Sequence, residues 1–302
     1  MAAVWQTAFW TGETEMSLYL IKGHYRIVKT QPDADSVRFI PDNAAAFTSL
    51  QLAAHLGSGG AAQLRLDAID ALETHYTPPT HGGRTMHQPL DLAHAAAARL
   101  LEMLGFTDVV RAGETVTSAT PDATPGYILT RFADKYGRPV ALAYAGTTDR
   151  PDLHATYTDV GLLRASVNYQ LLDEGLAYPT FYSKLYPDLR TELTAAAGNA
   201  RAAKDGVWAS DVTTSGATIK AIADLTDYLV IMPKLFRRLA DYFALSAGDV
   251  SLANFPAFLA SRDDRLYVIS DAHATGFDTV VSVDGQTVRL TREIADLIFV
   301  EG

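Results

Sequence analysis

The amino-acid sequence predicts an α+β protein, because segments with the two-residue alternation of strands are mixed with longer segments of helical spacing. Residues 23–30, 36–40 and 140–145 have strand spacing, in which successive side chains point to opposite faces of a sheet. Residues 91–104 combine helical spacing with many Ala and Leu residues and stop at Gly105, which is typical of a helix end. Both kinds of element therefore occur in the first half of the chain.

Further elements are expected beyond these. Residues 109–116 and 127–132 predict strand segments, and residues 166–174 and 188–204 predict two helices. The polar segment SDVTTSGA at 210–217 is typical of a linker. At 302 residues and 48% hydrophobic composition, the chain is long enough to bury a sizeable core and to form two domains.

The segment after the linker predicts a small accessory α+β domain. Its sequence LTDYLVIMPKLFRRLADYFAL predicts a helix pair, or one helix broken near Pro233, and residues 266–269, 279–283 and 286–290 predict short strands. Asp284-Gly285 has the chemistry of a two-residue hairpin turn between the last two strands. No catalytic motif is recognised in this part of the chain.

Composition excludes several classes of site. The net charge of −10 argues against a general polyanion binder, because nonspecific affinity for nucleic acid comes mainly from Lys and Arg. There is no Cys, so disulfides and thiolate metal sites are excluded. No apolar run is long enough to cross a bilayer and no signal peptide is recognised, so we expect a cytoplasmic protein without a membrane partner, with export left open.

The most informative stretch is AQLRLDAIDALETHY at 62–76. It predicts a strand with Arg65 in its middle, followed by a turn that carries Asp67, Asp70 and Glu73. A guanidinium group beside carboxylates is suited to holding a phosphate and a hard cation together. The spacing alone favours the simpler alternative, a solvated ion pair.

The stretch R-L-D-A-I-D-A-L-E resembles the active-site strand of the staphylococcal nuclease (thermonuclease) family. Three further segments resemble family motifs in the same order, namely PDADSVRF at 32–39, DKYGR at 134–138 and VNYQLLDEGLAY at 167–178. The resemblance covers roughly 23–210, and four ordered motifs are more specific than any one of them. It implies a five-stranded barrel of the oligonucleotide-binding type with helices packed against it.

The resemblance also implies a division of the chain and a set of site residues. The expected division is an N-terminal extension at 1–22, a nuclease-like domain at 23–210 and an accessory domain at 218–302. Against compact family members, 147–165 is an insertion, either a substrate-facing flap or a surface loop. The implied roles are calcium (Ca2+) binding by Asp35, Asp70 and the carbonyl of Ala71, general base catalysis by Glu73, phosphate binding by Arg65 and Arg138, and substrate contact by Lys135, Tyr136, Phe181 and Tyr182.

The implied activity is calcium-dependent hydrolysis of DNA, RNA or both, leaving a 5′-hydroxyl and a 3′-phosphate. The alternative is a non-catalytic nuclease-fold module that binds nucleic acid or a protein partner. The presence of Arg65, Glu73 and Arg138 favours the enzyme, because such modules typically lack members of this set. Ala34, where the family usually has Gly, and Leu72, where it usually has Pro, depart from the pattern.

Several of these residues have simpler interpretations. Asp35 is suited to a local turn hydrogen bond, Arg138 to a solvated hairpin turn, and the aromatic pair at 181–182 to a core beside a helix end. Four histidines, at positions 75, 81, 87 and 94, raise the possibility of zinc. Their spacing fits no common zinc motif, and the Pro-, Gly- and Thr-rich segment around them favours a solvated loop.

Overall fold

The computed structural model of the protein describes residues 17–79, 83–246 and 249–301. The strands in these residues are β1 Ser17–Tyr25, β2 Ser36–Pro41, β3 Ala62–Leu66, β4 Ile69–Asp70, β5 Thr107–Ala112, β6 Thr115–Thr120, β7 Thr124–Ala133, β8 Pro139–Ala145, β9 Ala155–Tyr157, β10 Tyr178–Pro179, β11 Phe181–Tyr182, β12 Ala217–Thr218, β13 Arg265–Val268, β14 His273–Gly276, β15 Val281–Asp284, β16 Thr287–Leu290 and β17 Leu297–Phe299. The helices are α1 Ala46–Ser49, α2 Leu90–Met103, α3 Val160–Arg164, α4 Val167–Asp173, α5 Pro187–Ala203, α6 Pro233–Leu245, α7 Phe255–Ser261 and α8 Phe277–Val280.

Five strands form a closed barrel, which confirms the predicted fold of the first part of the chain. Their order is β2-β3-β8-β7-β1, and β1 pairs with β2 to close the ring. The pairs are antiparallel except β3–β8, which is parallel. Where β1 reaches both β2 and β7, Gly23 lies so close to the next strand that a Cβ atom would stand 2.2 Å from the carbonyl oxygen of Ile40. Glycine therefore permits closure at this point.

The barrel interior and the helices packed on it form the first hydrophobic core. This core joins Leu20, Phe39, Leu64 and Leu142 of the strands with leucines of α2, α4 and α5. On α4, the buried Asn168 accepts a hydrogen bond from the backbone N–H of Ala143 (2.9 Å) and donates to the carbonyls of Asp67 (2.9 Å) and Ala141 (3.0 Å). Asn168 thus fixes the helix against the end of β3, where the predicted site begins.

The C-terminal region is the predicted α+β arrangement, and it shares its core with the first part of the chain. Strand β17 pairs in parallel with β11, and the sheet continues as β11-β17-β13-β14. The second hydrophobic core joins Leu72, Tyr178 and Trp208 with Phe236 and Leu239 of α6. The boundary proposed near 210–217 therefore separates two regions that are packed together through a common interior.

The segment predicted as a polar linker is anchored. Thr213 is completely buried; its hydroxyl accepts a hydrogen bond from the N–H of Met232 (2.9 Å), and its carbonyl accepts one from the N–H of Leu290 (2.8 Å). These bonds replace water at the hydroxyl and the carbonyl of Thr213, so this polar residue can occupy a buried position.

Several boundaries differ from the sequence predictions. Strand β1 begins at Ser17 and ends at Tyr25, so it reaches into the predicted N-terminal extension. The predicted strand 109–116 turns back on itself at Gly113, whose φ of +56° permits a hairpin between β5 and β6. The last hairpin turn consists of Gly285 and Gln286, one residue later than predicted. Residues 147–165 contain β9, which adds to β1, and the short helix α3.

Helix α6 begins at Pro233, which occupies its first turn where no backbone N–H is needed. Its apolar side chains face the second core, and a row of charged residues at 234, 237, 238 and 241 lies on the opposite side. In the described part of the chain, no helix has the length and apolar character needed to cross a membrane.

Candidate active site

The site is organised around Arg65, in the middle of β3. After β3 the chain reverses at Ala68, which adopts a left-handed conformation with φ of +68°. The reversal places Asp70 beside Arg65, whose Nη2 donates to the carbonyl of Ile69 (3.0 Å) and to Oδ1 of Asp70 (2.8 Å). Asp70 is completely buried. The local fold of β3 and β4 therefore brings the predicted phosphate-binding Arg and one predicted metal-binding Asp into direct contact.

Asp35 lies against the same guanidinium group. It precedes β2, and its carboxylate forms an ion pair with Nη1 of Arg65. Its Oδ2 also accepts a hydrogen bond from the backbone N–H of Ala71 (2.9 Å). Ala34, in the position where Gly was expected, is buried and has no positive φ, so a Cβ atom is compatible with this turn. Three predicted cation ligands, Asp35, Asp70 and Ala71, are thus brought together.

A residue that sequence analysis did not identify completes the cluster. Arg237 of α6 donates from Nη1 to Oδ1 of Asp70 (3.0 Å) and from Nη2 to Oδ2 of Asp70 (2.8 Å). Its Nη1 also contacts Oε1 of Glu73 at 2.5 Å. The basic spacing of KLFRR at 234–238 marks a charged helix face. Nothing in the sequence indicates that this face meets carboxylates more than 160 residues away.

Glu73 is held by a buried amide rather than by the rigidity of a proline. Gln88 is completely buried; its Oε1 accepts from the N–H of Glu73 (3.2 Å), and its Nε2 donates to the carbonyl of Ile231 (2.8 Å). Leu72, in the position of the family proline, is buried in the second core. The loop that carries Glu73 is therefore fixed by packing against the C-terminal region.

The charges of the cluster shift the pKa values of its carboxyl groups in opposite directions. Burial alone would raise the pKa of Asp70, but the guanidinium groups of Arg237 and Arg65 outweigh it and hold this pKa below its ordinary value. Burial raises the pKa of Glu73 to about 7; the charge of Arg237 opposes this rise, and the carboxylates of Asp33 and Asp35 add to it. Asp70 is therefore ionised, whereas Glu73 can exchange a proton near neutrality.

Arg138 lies outside this cluster, in the turn before β8. Its Nε donates to Oδ2 of Asp134 (2.8 Å), and its guanidinium carbon is 5.5 Å from the ring centre of Tyr136. Val140 pairs with Arg65 in the β3–β8 ladder, and Arg138 precedes Val140 by two residues. Side chains two residues apart point to the same face, so the two arginines belong to one face of the barrel.

The predicted substrate contacts have different environments. Lys135 and Tyr136 are exposed, with 64% of Tyr136 accessible, and the Lys135 ammonium group lies 5.6 Å from the centre of the Tyr136 ring. Tyr182 is partly buried, and the charges of Asp70, Arg65 and Arg237 act on its hydroxyl group. These three side chains lie on or next to the face that carries the arginines.

Phe181 does not fit the predicted role in stacking on a base. Its side chain is completely buried in the first core, so neither ring face is open to a ligand. The aromatic ring is buried against the barrel, as expected from the alternative interpretation that this aromatic pair belongs to the core.

The predicted calcium ligands do not fit a divalent cation in the observed arrangement. Both oxygens of Asp70 accept hydrogen bonds from Arg237, and Oδ2 of Asp35 is bound by Arg65 and by the N–H of Ala71. Calcium needs six to eight oxygen ligands at about 2.3–2.6 Å. The guanidinium group of Arg237 occupies part of the space that such an ion would need beside Asp70. Among the residues described, no group of three or more His, Asp or Glu side chains is arranged to hold a metal ion.

Among the residues that the structure describes, the histidines form no metal site either. His75 and His87 are partly buried, and Nε2 of the exposed His94 lies 3.0 Å from Oε1 of Glu114. His81 falls outside the described residues. His75 and His87 lie in loop segments, as the loop interpretation expected, whereas His94 lies on α2.

Residues 63–210 match the family model described as staphylococcal nuclease homologue. The matched range contains Arg65, Asp70, Glu73 and Arg138, and it ends just after Trp208, whereas Asp35 and Arg237 lie outside it. No curated protein matches the chain.

Proposed function

We propose that this chain, which carries a staphylococcal nuclease-like domain followed by a further C-terminal region, hydrolyses phosphodiester bonds of DNA, RNA or both. The observation that carries the proposal is the meeting of Arg65, Asp35, Asp70 and Glu73 in one cluster at the end of β3. Each of these residues lies at a motif position where the family has a catalytic or metal-binding residue. A guanidinium group beside carboxylates can bind a phosphate and activate a water molecule next to it.

Glu73 is the proposed general base. It would take a proton from a water molecule as the water oxygen bonds to phosphorus, and the bond from phosphorus to the 5′ oxygen would break. The departing oxygen, once protonated, becomes a 5′-hydroxyl, and the phosphate stays on the 3′ side. A pKa raised by burial to about 7 supports this role, because a base works best when its pKa is near the working pH.

Arg65 and Arg138 are the proposed phosphate ligands. Their common face of the β3–β8 ladder supports contact with one substrate strand. Tyr136, exposed in the turn beside Arg138, is suited to stacking on a base, and Lys135 adds a positive charge there. Because the chain as a whole is acidic at −10, binding should depend on this local group of cations and weaken as salt rises.

The proposed activity depends on calcium only if the cation ligands are first released from Arg237. The family typically uses calcium, and Asp35, Asp70 and the carbonyl of Ala71 are the ligands this chain would offer. Since Arg237 engages both oxygens of Asp70, these ligands must first be released.

The competing function is a nuclease-fold module that binds nucleic acid or a protein partner without cleaving. The contact of Arg237 with both Asp70 and Glu73 favours it, because the proposed base is engaged by an internal guanidinium group at 2.5 Å. In this case the arginines of the barrel face would bind phosphates, and no bond would be broken.

The two functions are separated by cleavage assays on single-stranded DNA, double-stranded DNA and RNA with calcium, with magnesium and with chelator. The native chain and Arg237→Met are each compared with the same protein carrying Glu73→Gln. Arg138→Ala tests phosphate binding at a site that does not touch the buried cluster, and Arg150→Ala is the control at an exposed position. Cleavage by either parent that is lost with Glu73→Gln supports the enzyme.

Intact substrates with every variant, together with salt-sensitive binding that weakens in Arg138→Ala but not in Arg150→Ala, would establish the module instead. Cleavage that survives Glu73→Gln in both backgrounds would show that the catalytic assignment is wrong.

A further inference from the structure

We propose that the guanidinium group of Arg237 takes the place of the divalent cation, so that the C-terminal region closes the nuclease-like site of its own chain to metal. The inference that the site is closed to metal rests on the contacts of Arg237 alone. Its effect on cleavage rests on the proposed nuclease function.

The first reason is geometric. Arg237 binds Asp70 through two nitrogens and two oxygens, at 3.0 and 2.8 Å, and reaches Glu73 with the same Nη1 that contacts Oδ1 of Asp70. A paired arrangement of this kind uses the lone pairs that a cation would need on Asp70. A cation at 2.3–2.6 Å from these oxygens and the guanidinium group cannot both be present.

The second reason is charge balance. Asp35, Asp70 and Glu73 carry three negative charges when ionised, and Arg65 carries one positive charge, which leaves an excess that a divalent cation would neutralise. With Arg237 included, two guanidinium groups face the three carboxyl groups, which leaves only one negative charge in excess. Adding a divalent cation to this set would leave a buried positive excess, which is costly in a site of low dielectric constant.

The third reason is that Arg237 is held in place. On α6, the neighbouring residue Phe236 and also Leu239 are completely buried in the second core. Tyr76, three residues after Glu73, donates from its hydroxyl to Oδ1 of Asp241 on the same helix at 2.7 Å. Withdrawal of the helix would break this core, so the guanidinium group is a fixed part of the site rather than a loose surface side chain.

The helix also supplies a matched control. Arg238, next to Arg237, binds Asp264 and Asp241 and does not touch Asp70 in the described contacts. Each of its two partners keeps another cation when Arg238 is removed, since Asp264 retains Lys234 and Asp241 retains Arg262. Arg238→Met therefore removes the same chemical group from the same helix without opening the site.

The test measures metal binding directly. Terbium, a luminescent substitute for calcium, is added to the native chain, Arg237→Met and Arg238→Met, and its emission is excited through tyrosine, of which Tyr182 adjoins the cluster. Thermal unfolding is then measured with and without calcium, which stabilises only a folded state that binds it. The expected results are no sensitised emission and no calcium effect for the native chain and Arg238→Met. For Arg237→Met we expect strong emission and a rise of several degrees in Tm with calcium.

The emission gained in Arg237→Met should disappear when Asp70→Asn is added. Emission and calcium stabilisation of the native chain equal to those of Arg237→Met would overturn the proposal. If Arg237→Met folds poorly, Arg237→Gln, which is also uncharged, replaces it in the same comparison. Absence of metal binding in a folded Arg237→Met protein would also overturn it.

Cleavage is measured on the same proteins. If the proposed nuclease function holds, Arg237→Met should cleave at least tenfold faster than the native chain in calcium, and Arg238→Met should not. Metal binding gained in Arg237→Met without cleavage in any variant would leave the closure of the site supported and would count against the nuclease function alone.

Discussion

Arg237 and Asp70 are 167 residues apart in the chain and form a buried two-point ion pair, with Nη2 to Oδ2 at 2.8 Å and Nη1 to Oδ1 at 3.0 Å. The pair joins the barrel to the C-terminal region at the position where sequence analysis predicted a metal. Four predictions follow from the contacts of these two regions and from the charges beside them.

The first concerns the coupling between the two side chains. Asp70→Asn removes the carboxylate that both Arg65 and Arg237 bind and leaves them with Asp35 and Glu73 only. Breaking a buried pair in this way should lower the free energy of unfolding by about 3–5 kcal/mol. Arg237→Met should cost less, because Asp70 keeps Arg65. The double variant should be more stable than the sum of the two single effects by about 1–3 kcal/mol. Urea unfolding of the four proteins measures the coupling.

A surface pair provides the control for this cycle. Arg292 and Asp271 are bonded at 2.8 Å, but more than 40% of each side chain is exposed. The same cycle on this pair should give at most about 1 kcal/mol. Equal coupling energies for the buried and the exposed pair would contradict a structural role for the contact between Arg237 and Asp70.

Much of the barrel was predictable because its information is local. The alternation around Arg65, the helix at 91–104 and the order of the motifs all appear within short windows of sequence, and the structure has β3, α2 and the closed barrel accordingly. The family resemblance also implied that Arg65, Asp35 and Asp70 meet, and in the structure β2, which Asp35 precedes, pairs with β3, which carries Arg65. Arg237 could not be placed with them, because a helix face in one region gives no indication of which carboxylates it will meet in another.

The remaining errors have physical causes of the same kind. Gly113 was included in a strand although its positive φ makes it a turn, and Phe181 was assigned to a ligand although the barrel buries it. Thr213 was assigned to a linker because its side chain is polar, but in the interior its hydroxyl accepts a hydrogen bond from the N–H of Met232 and donates one to Asp211. Pattern alone does not reveal which polar groups find partners.

The second prediction concerns Leu72, which stands where the family has proline. Its side chain is 1% exposed and belongs to the second core, so Leu72→Ala should lower the free energy of unfolding by about 2–4 kcal/mol through the cavity it leaves. Leu56→Ala, at a position that is 37% exposed, should change it by less than about 0.5 kcal/mol. Similar losses for both variants in urea unfolding would show that Leu72 is not a core residue.

The third prediction uses pH. Burial raises the pKa of Asp67 from 3.8 to about 6, against the opposing effects of a backbone hydrogen bond from Ala68 and the charge of Arg131. The folded state therefore binds this proton more tightly than the unfolded state, and the contribution is fully present below pH 4 and lost as the pH rises through 6. With allowance for partial exposure, the loss should be about 1–2 kcal/mol.

Asp67→Asn removes the carboxyl group that titrates and leaves a side chain of nearly the same size. The difference in free energy of unfolding between Asp67→Asn and the native chain should move in favour of the variant as the pH is raised from 4 to 7. A difference for Asp67→Asn that does not change with pH would show that the pKa of Asp67 is near its ordinary value.

The fourth prediction is that both regions unfold together. Strand β17 at the C-terminal end pairs with β11, and the second core contains Leu72 and Trp208 from one region and Phe236 and Leu239 from the other. Loss of either region would expose the apolar surface of this core, so neither has a complete interior alone.

Calorimetry should give one transition whose calorimetric and van't Hoff enthalpies agree. Tryptophan fluorescence, which includes Trp208, should change at the same temperature as far-UV circular dichroism. Two separate transitions, with the fluorescence change confined to one of them, would mean that the regions are independent domains, and the contact of Arg237 with Asp70 would then have to open without unfolding the barrel.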